Sequence, residues 1–313
     1  MTKLHRFLFI DMEKLMSEEK ELLYETLKGW EEALPDDIVP VVRNFVDAQP
    51  DSAVSEFLKK YEVAGEDWGY SEGSEFVRSI MKVVLDIMLK FDITGAENLD
   101  NALNLLAEGK ADRLVFVANH VSYSDANIFA AAFDENFAKA GLAGKLAVIA
   151  GPKVFSHPVR KFASMHFNSL LIAQSQTVAS VPVPYPIRVI ARAAAKVAED
   201  IKARVKMFLV FPEGKRSRDG SIDHFLAGVY RMIDTGENVL VQPVSILGGE
   251  KMLPISQGKL HPSNIRINVG KAEYVSDILD EIGDTQGLKQ AFMDNLGKKV
   301  ASLHPEELRG VYK

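Results

Sequence analysis

The sequence predicts an α/β fold: a largely parallel or mixed sheet flanked by helices, preceded by a small helical N-terminal region. Short apolar runs rich in β-branched residues alternate with helical patterns from about Phe76 onward, as when helices return the chain between parallel strands. Ahead of that point the pattern is helical and broken by prolines. The 313 residues are 47% apolar and 26% charged, enough to build a full core. The expected division is residues 1–75 for the helical region and 76–313 for the α/β domain.

In order along the chain, residues 1 to about 62 read as helical. Phe7, Ile10, Leu15, Leu22, Leu23, Leu27 and Trp30 supply an apolar face, and Pro35, Pro40 and Pro50 cut it into short helices. Val63 to Ser74 places Gly65, Gly69 and Gly73 among acidic residues, the best boundary or hinge. Phe76 to Phe91 reads as one helix whose Arg78, Lys82, Asp86 and Lys90 form a polar stripe. Two readings fit it, a core helix with one wet edge or a helix lying on a membrane surface. Met81 and Met88 are assigned to the core.

Strands follow at Leu114–Asn119, Leu146–Ala150, Met207–Val210, Val239–Leu247 and Ile265–Gly270. Helices fall at Asp125 to about Lys139, Ile187–Lys206, and about Gln286 to Leu303. Sheets of this kind bind ligands at the carboxyl ends of their strands.

Composition removes several chemistries. There is no cysteine, hence no disulfide, thiol nucleophile or cysteine-ligated metal. A net charge of −6 argues against bulk attraction to nucleic acid or anionic lipid, although a local basic patch would survive that average. The N-terminal MTKLHRFLFIDMEK has too short an apolar run for a signal peptide, and no stretch approaches the roughly 20 apolar residues of a spanning helix. The expectation is a cytoplasmic protein, peripheral at most on the inner face of a membrane. His157, His166, His224, His261 and His304 form no metal-ligand spacing and are assigned to surface or packing, so no metal site is expected. Gly248-Gly249 lacks the Lys-Ser/Thr of a phosphate loop and reads as a turn.

Two strand ends carry the chemistry. Asn119-His120-Val121-Ser122-Tyr123-Ser124-Asp125 leaves an apolar strand, and Ser124 or Asp125 is suited to cap the helix that follows. A turn of this length brings imidazole and carboxylate together. The carboxylate then fixes the tautomer, and the other ring nitrogen takes a proton from a hydroxyl. Phe211-Pro212-Glu213-Gly214-Lys215-Arg216-Ser217-Arg218 follows the strand MFLV. Pro212 stops the ladder, Gly214 permits a sharp turn, and Lys215, Arg216 and Arg218 are expected to emerge together to capture phosphate or carboxylate. Glu213, amid three cations, is expected to stay ionised and to hold one arginine.

Together, N-H-x-S-x-x-D and, about ninety residues later, F-P-E-G-x-R-S-R resemble the glycerol-3-phosphate and 1-acylglycerol-3-phosphate acyltransferase superfamily. The likeness runs from about Ile93 to about Gly270. It implies that His120 is the general base on the acceptor hydroxyl, with Asp125 orienting it. It further implies that Arg216 binds the acceptor's phosphate, Arg218 assists or braces the turn, and Glu213 and Gly214 shape it. Ala150-Gly151-Pro152-Lys153-Val154-Phe155 looks like the family's intermediate segment, which maps a phosphate-binding lysine to Lys153. Val241-Gln242-Pro243-Val244-Ser245 is similar to the block read as part of the acyl-side wall. The sequence departs from the family at Leu171-Ile172-Ala173-Gln174, where an Asp-Arg pair is absent; Arg188 or Arg192 is the cation available to substitute for it.

The implied function is transfer of a fatty acyl group from acyl-CoA or acyl-acyl-carrier protein to a hydroxyl of glycerol-3-phosphate or lysophosphatidate in phospholipid biosynthesis. The implied partners are the thioester donor, a phosphorylated glycerol-type acceptor, acyl carrier protein and a peripheral membrane contact, with no nucleic acid. No metal or tightly bound cofactor is implied, and backbone N–H groups at the turn or helix start are expected to hold the oxyanion. The alternatives are another lysolipid acceptor, or a lipid-binding relative without turnover.

Overall fold

The computed structural model describes residues 17–173, 185–233, 237–254 and 258–313. Helices α1 (Glu18–Glu31), α2 (Val39–Asp47) and α3 (Asp51–Val63) come first. Prolines set their limits: Pro40 lies in the first turn of α2, where a missing N–H costs nothing, and Pro50 is the N-cap of α3. Leu23, Leu27 and Trp30 are buried as the spacing predicts, whereas Leu22 is exposed. Phe7, Ile10 and Leu15 lie outside the described residues.

The glycine-rich stretch after α3 contributes β1 (Gly69–Ser71). Next, α4 (Glu75–Met88) buries Phe76, Val77, Ile80, Met81, Val84, Leu85 and Met88, so its apolar face is spent inside the protein and Ile87 is left exposed. The single helix expected over Phe76–Phe91 is not formed to its end. Leu89, Phe91 and Ile93 alternate with polar residues and make β2 (Leu89–Thr94), a period-two pattern that Lys90 had disguised by continuing the i,i+4 stripe.

The chain then continues through α5 (Ala96–Ala107), β3 (Arg113–Ala118), α6 (Asp125–Lys139), β4 (Leu146–Ala150), α7 (Pro152–Phe155), α8 (Pro158–Ser164) and β5 (Asn168–Leu171). It resumes with α9 (Ile187–Arg204), β6 (Met207–Val210), α10 (Tyr230–Ile233), β7 (Val239–Leu247) and α11 (Gly249–Met252). Last come β8 (Ser263–Val269), β9 (Glu273–Tyr274), α12 (Val275–Ile282) and α13 (Leu288–Ser302).

Among the described residues the sheet order is β1-β5-β4-β6-β3-β7-β8-β2, with β9 beside β7. The middle, from β5 to β7, is parallel, while β1, β8 and β9 join antiparallel, so the sheet is mixed. All six residues of β3 are buried because helices cover both faces. Leu114, Phe116 and Ala118 face the layer that includes α4, α5 and α6, and Val115 and Val117 face α9 and α13. The N-terminal helices join the first of these layers: Phe162 of α8 meets Trp30 of α1 and Phe57 of α3 at 4.8 and 5.8 Å between ring centroids. No helix among the described residues is long and apolar enough to cross a membrane.

Candidate active site

β3 and β6 are parallel neighbours with Val117 opposite Val210. His120 and Glu213, each three residues beyond that pair, therefore emerge side by side although 93 residues separate them. The His120 backbone N–H donates to Glu213 Oε1 at 2.8 Å, and its carbonyl accepts from the Ser217 N–H at 2.7 Å. Asn119, almost fully buried, exchanges two 2.8 Å bonds with the backbone of Ile246 in β7. The loop after β3 is thus fastened to the strands on both sides.

The expected imidazole–carboxylate pair is formed: His120 Nδ1 lies 2.8 Å from Asp125 Oδ2. The same oxygen accepts the N–H groups of Val121 at 2.6 Å and Ser122 at 2.8 Å. Asp125 opens α6, but its carboxylate turns back to the loop, and Ser124 makes no side-chain cap bond. An acceptor-only carboxylate requires that Nδ1 carry the proton, which leaves Nε2 with a lone pair. Phe211 stacks on the imidazole at 4.4 Å and 19°, limiting its rotation. Because Val121 and Ser122 give their N–H groups to Asp125, these donors at the helix start are not free for an oxyanion.

Asp125 is fully buried, and its Oδ1 has no hydrogen-bond partner among the described residues. Gly249 explains the crowding there: a Cβ on it would come within 2.4 Å of Oδ1 and 3.3 Å of Val121 and Ile128. The turn read at Gly248-Gly249 is present, with Gly248 at φ 94°. Gly249→Ala is expected to destabilise the fold by about 1–3 kcal/mol through overpacking. It should also displace Asp125, so that kcat falls with stability; urea melts and initial rates on one preparation check both.

Glu213 does not hold an arginine. It is buried, and its oxygens accept from the backbone N–H groups of His120 and of Asp223, the latter at 3.0 Å. Burial pushes its carboxyl up from 4.5 to about 7, against the pull of those two bonds. A raised carboxyl favours the folded state fully below pH about 4.5, and that contribution is lost as pH rises through about 7. Glu213→Gln does not titrate and turns an N–H₂ toward one backbone donor, so it is expected to melt below wild type at pH 5. The gap should narrow toward pH 8 as the wild-type carboxyl ionises; a gap that widens would contradict the assignment.

Nor do the three cations of the turn stay together. Lys215 pairs with Asp223 at 2.6 Å, Arg218 is exposed, and Arg216 lies over the Tyr123 ring with Cζ 3.7 Å from its centroid. Gly214 makes the predicted turn with φ 66°, where an added Cβ would also press on Leu226 at 2.8 Å.

Tyr123 and Arg216 belong to the two strand-end loops and line a cleft of about 600 Å³. Its other walls include Gly29 and Ala33 at the end of α1, His157 and Arg160 around the start of α8, and Leu253. Lys153 sits in α7 and does not line this cleft; its carbonyl accepts from Arg160 Nε at 3.0 Å. Arg188 and Arg192 are exposed on α9 and do not line it either, and Gln174 lies outside the described residues. Val241, Gln242, Val244 and Ser245 are buried within β7. His166 is a packing histidine, held neutral with its pKa pushed down to about 3 by burial, and accepts from Asn127.

Sequence reading assigned no role to Phe211, Ser217 or Tyr123, although all lie inside the two motifs. Arg160 and the α1 wall carried no local signal, because only tertiary packing brings them to the cleft.

Residues 90–247 match the family model described as Acyltransferase. Among solved structures, the 1-acyl-sn-glycerophosphate (LPA) acyltransferase PlsC of Thermotoga maritima is similar with TM-score 0.48 and 19% identity, over 94% of this chain and 99% of that one. No curated protein sequence matches.

Proposed function

We propose that this chain, which belongs to the Acyltransferase family and is an acyl-transferring enzyme, moves a fatty acyl group from a thioester to a hydroxyl of glycerol-3-phosphate or lysophosphatidate. The observation that carries the reading is the His120–Asp125 pair, whose Nε2 has no partner among the described residues. His120 and Asp125 do not themselves line the cleft, but Tyr123 of their loop does, as does Arg216, whose neighbour Ser217 bonds to the His120 carbonyl. The acceptor's phosphate docks on Arg216. His120 Nε2 takes the hydroxyl proton as that oxygen attacks the thioester carbonyl carbon, and Asp125 stabilises the resulting imidazolium. The C–S bond breaks, and the leaving thiolate takes the proton from the imidazolium. The base is supplied by side chains, so the reaction needs no metal or tightly bound cofactor.

Glu213, Gly214 and Arg218 act through the shape of the turn that holds His120 and Arg216. Lys153 serves the phosphate through its neighbour Arg160 rather than as a cleft wall. The donor is acyl-CoA or acyl-acyl-carrier protein. The protein works peripherally at the inner face of a membrane, where an amphiphilic acceptor and product reside. Acceptor-dependent release of free thiol from acyl-CoA or acyl-carrier protein tests the reading. Thiol release at the same rate without any acceptor would mark a hydrolase instead.

A further inference from the structure

Arg160 approaches the Tyr123 ring from α8, its Cζ 5.0 Å from the centroid, while Arg216 approaches from the loop after β6 at 3.7 Å. Two guanidinium groups on one phenol ring repel each other unless an anion joins them. Four other arginines are paired, Arg43 with Glu31, Arg78 with Glu75, Arg204 with Asp200 and Arg266 with Asp92. Arg188, Arg192 and Arg218 have no such pair among the described residues, but they are exposed and stand outside the cleft. Neither Arg160 nor Arg216 has a carboxylate within ion-pair distance among the described residues. Glu32 lines the same cleft without pairing to either. The Tyr123 hydroxyl likewise has no partner among the described residues.

Arg160 is also held in advance. Its Nε donates to the Lys153 carbonyl at 3.0 Å, which leaves its terminal amino groups for the cleft. The α8 backbone beneath it is fixed by Asn127 Nδ2, which donates to the Ala163 carbonyl at 2.8 Å, and by fully buried Phe162 between Trp30 and Phe57. A side chain that loses little freedom on binding discriminates well.

We propose that Arg160 and Arg216 form a two-guanidinium clamp on Tyr123 that recognises the dianion of a phosphate monoester, with Arg160 a specificity determinant. This rests on the acceptor reading of the cleft given above. A monoester carries nearly two negative charges above its second pKa of about 6, whereas a phosphodiester headgroup carries one. Two forked donors suit the monoester, and each additional charge-assisted contact strengthens the preference.

The test uses the full chain and measures acceptor KM, thioester KM, kcat, and inhibition by inorganic phosphate. Arg160→Ala is expected to raise acceptor KM and phosphate Ki together by roughly 10- to 100-fold. Thioester KM and kcat should stay within about threefold, a split that a general loss of structure does not produce. Arg160→Gln keeps a donor toward the Lys153 carbonyl and should act in the same direction if the alanine variant folds poorly. Arg160→Lys, which keeps the charge and loses the fork, should fall between wild type and alanine. Unchanged acceptor KM and phosphate Ki in folded Arg160→Ala or Arg160→Gln, with wild type active on glycerol-3-phosphate or lysophosphatidate, overturns the clamp alone. A wild-type enzyme that acylates only unphosphorylated acceptors and ignores phosphate overturns the acceptor reading with it.

Discussion

Replacing His120 with alanine is expected to lower kcat by roughly 10²–10⁴-fold, the range for losing a general base. Stability should fall by only about 1 kcal/mol. The imidazole is partly exposed, and its removal takes one of three donors from Asp125 Oδ2 while the backbone anchors to Glu213 and Ser217 remain. Saturating rates and urea melts on the same protein separate the two quantities. A variant that keeps a tenth or more of wild-type turnover removes His120 from the chemistry.

Asp125→Asn should match that loss of activity and add a loss of stability. In carboxylate-oriented histidines the same change costs about 10⁴-fold in kcat, because the amide upsets the tautomer and no longer stabilises the imidazolium. Here one oxygen receives three donors at 2.6–2.8 Å and the other is buried beside Gly249. With its oxygen toward the donors, asparagine buries an N–H₂ without an acceptor; flipped, it sets N–H₂ against three donors. Either way the expected cost is about 1–3 kcal/mol, the penalty for an unsatisfied buried polar group. Inactive Asp125→Asn that melts with wild type would mean that the carboxylate does not organise the loop.

The physical difference between these variants also marks what the sequence made legible. β4 and β6 are buried on both faces and read as unbroken apolar runs, so they fall where the sequence places them; β7 does too despite Gln242 and Ser245, and β3 within one residue. β5 is equally buried but opens on Asn168 and Ser169, and the sequence did not show it as a strand. The edge strand β2 is half polar, and its Lys90 extended a helical stripe by one more step, so it read as helix. His120 and Asp125 are close in sequence and could be paired from spacing alone. That β3 and β6 are neighbours could not be read from the chain, yet it is what joins the two motifs through His120 and Glu213.

Glu213 shows how local reasoning fails. Its sequence neighbours are Lys215, Arg216 and Arg218, which suggested an ionised carboxylate in a cationic turn. In three dimensions the cations fan outward and Glu213 turns inward to two backbone N–H groups, where burial outweighs those two hydrogen bonds and the negative charges of Asp223 and Asp125 push the same way. Arg160 is the converse case: a cation without local context, carried to the cleft because α8 packs between the N-terminal helices and α6.

Mass spectrometry of the products from purified protein tests the central claim most directly, with acyl-CoA or acyl-carrier protein as donor and His120→Ala as the blank. The acceptors are glycerol-3-phosphate, lysophosphatidate and other lysolipids. The expected result is an ester of glycerol-3-phosphate or lysophosphatidate, formed with one free thiol per ester and absent from the blank. Thioester cleaved to free fatty acid with no acylated acceptor, thioester left intact, or the same ester formed by the His120→Ala protein would contradict the account.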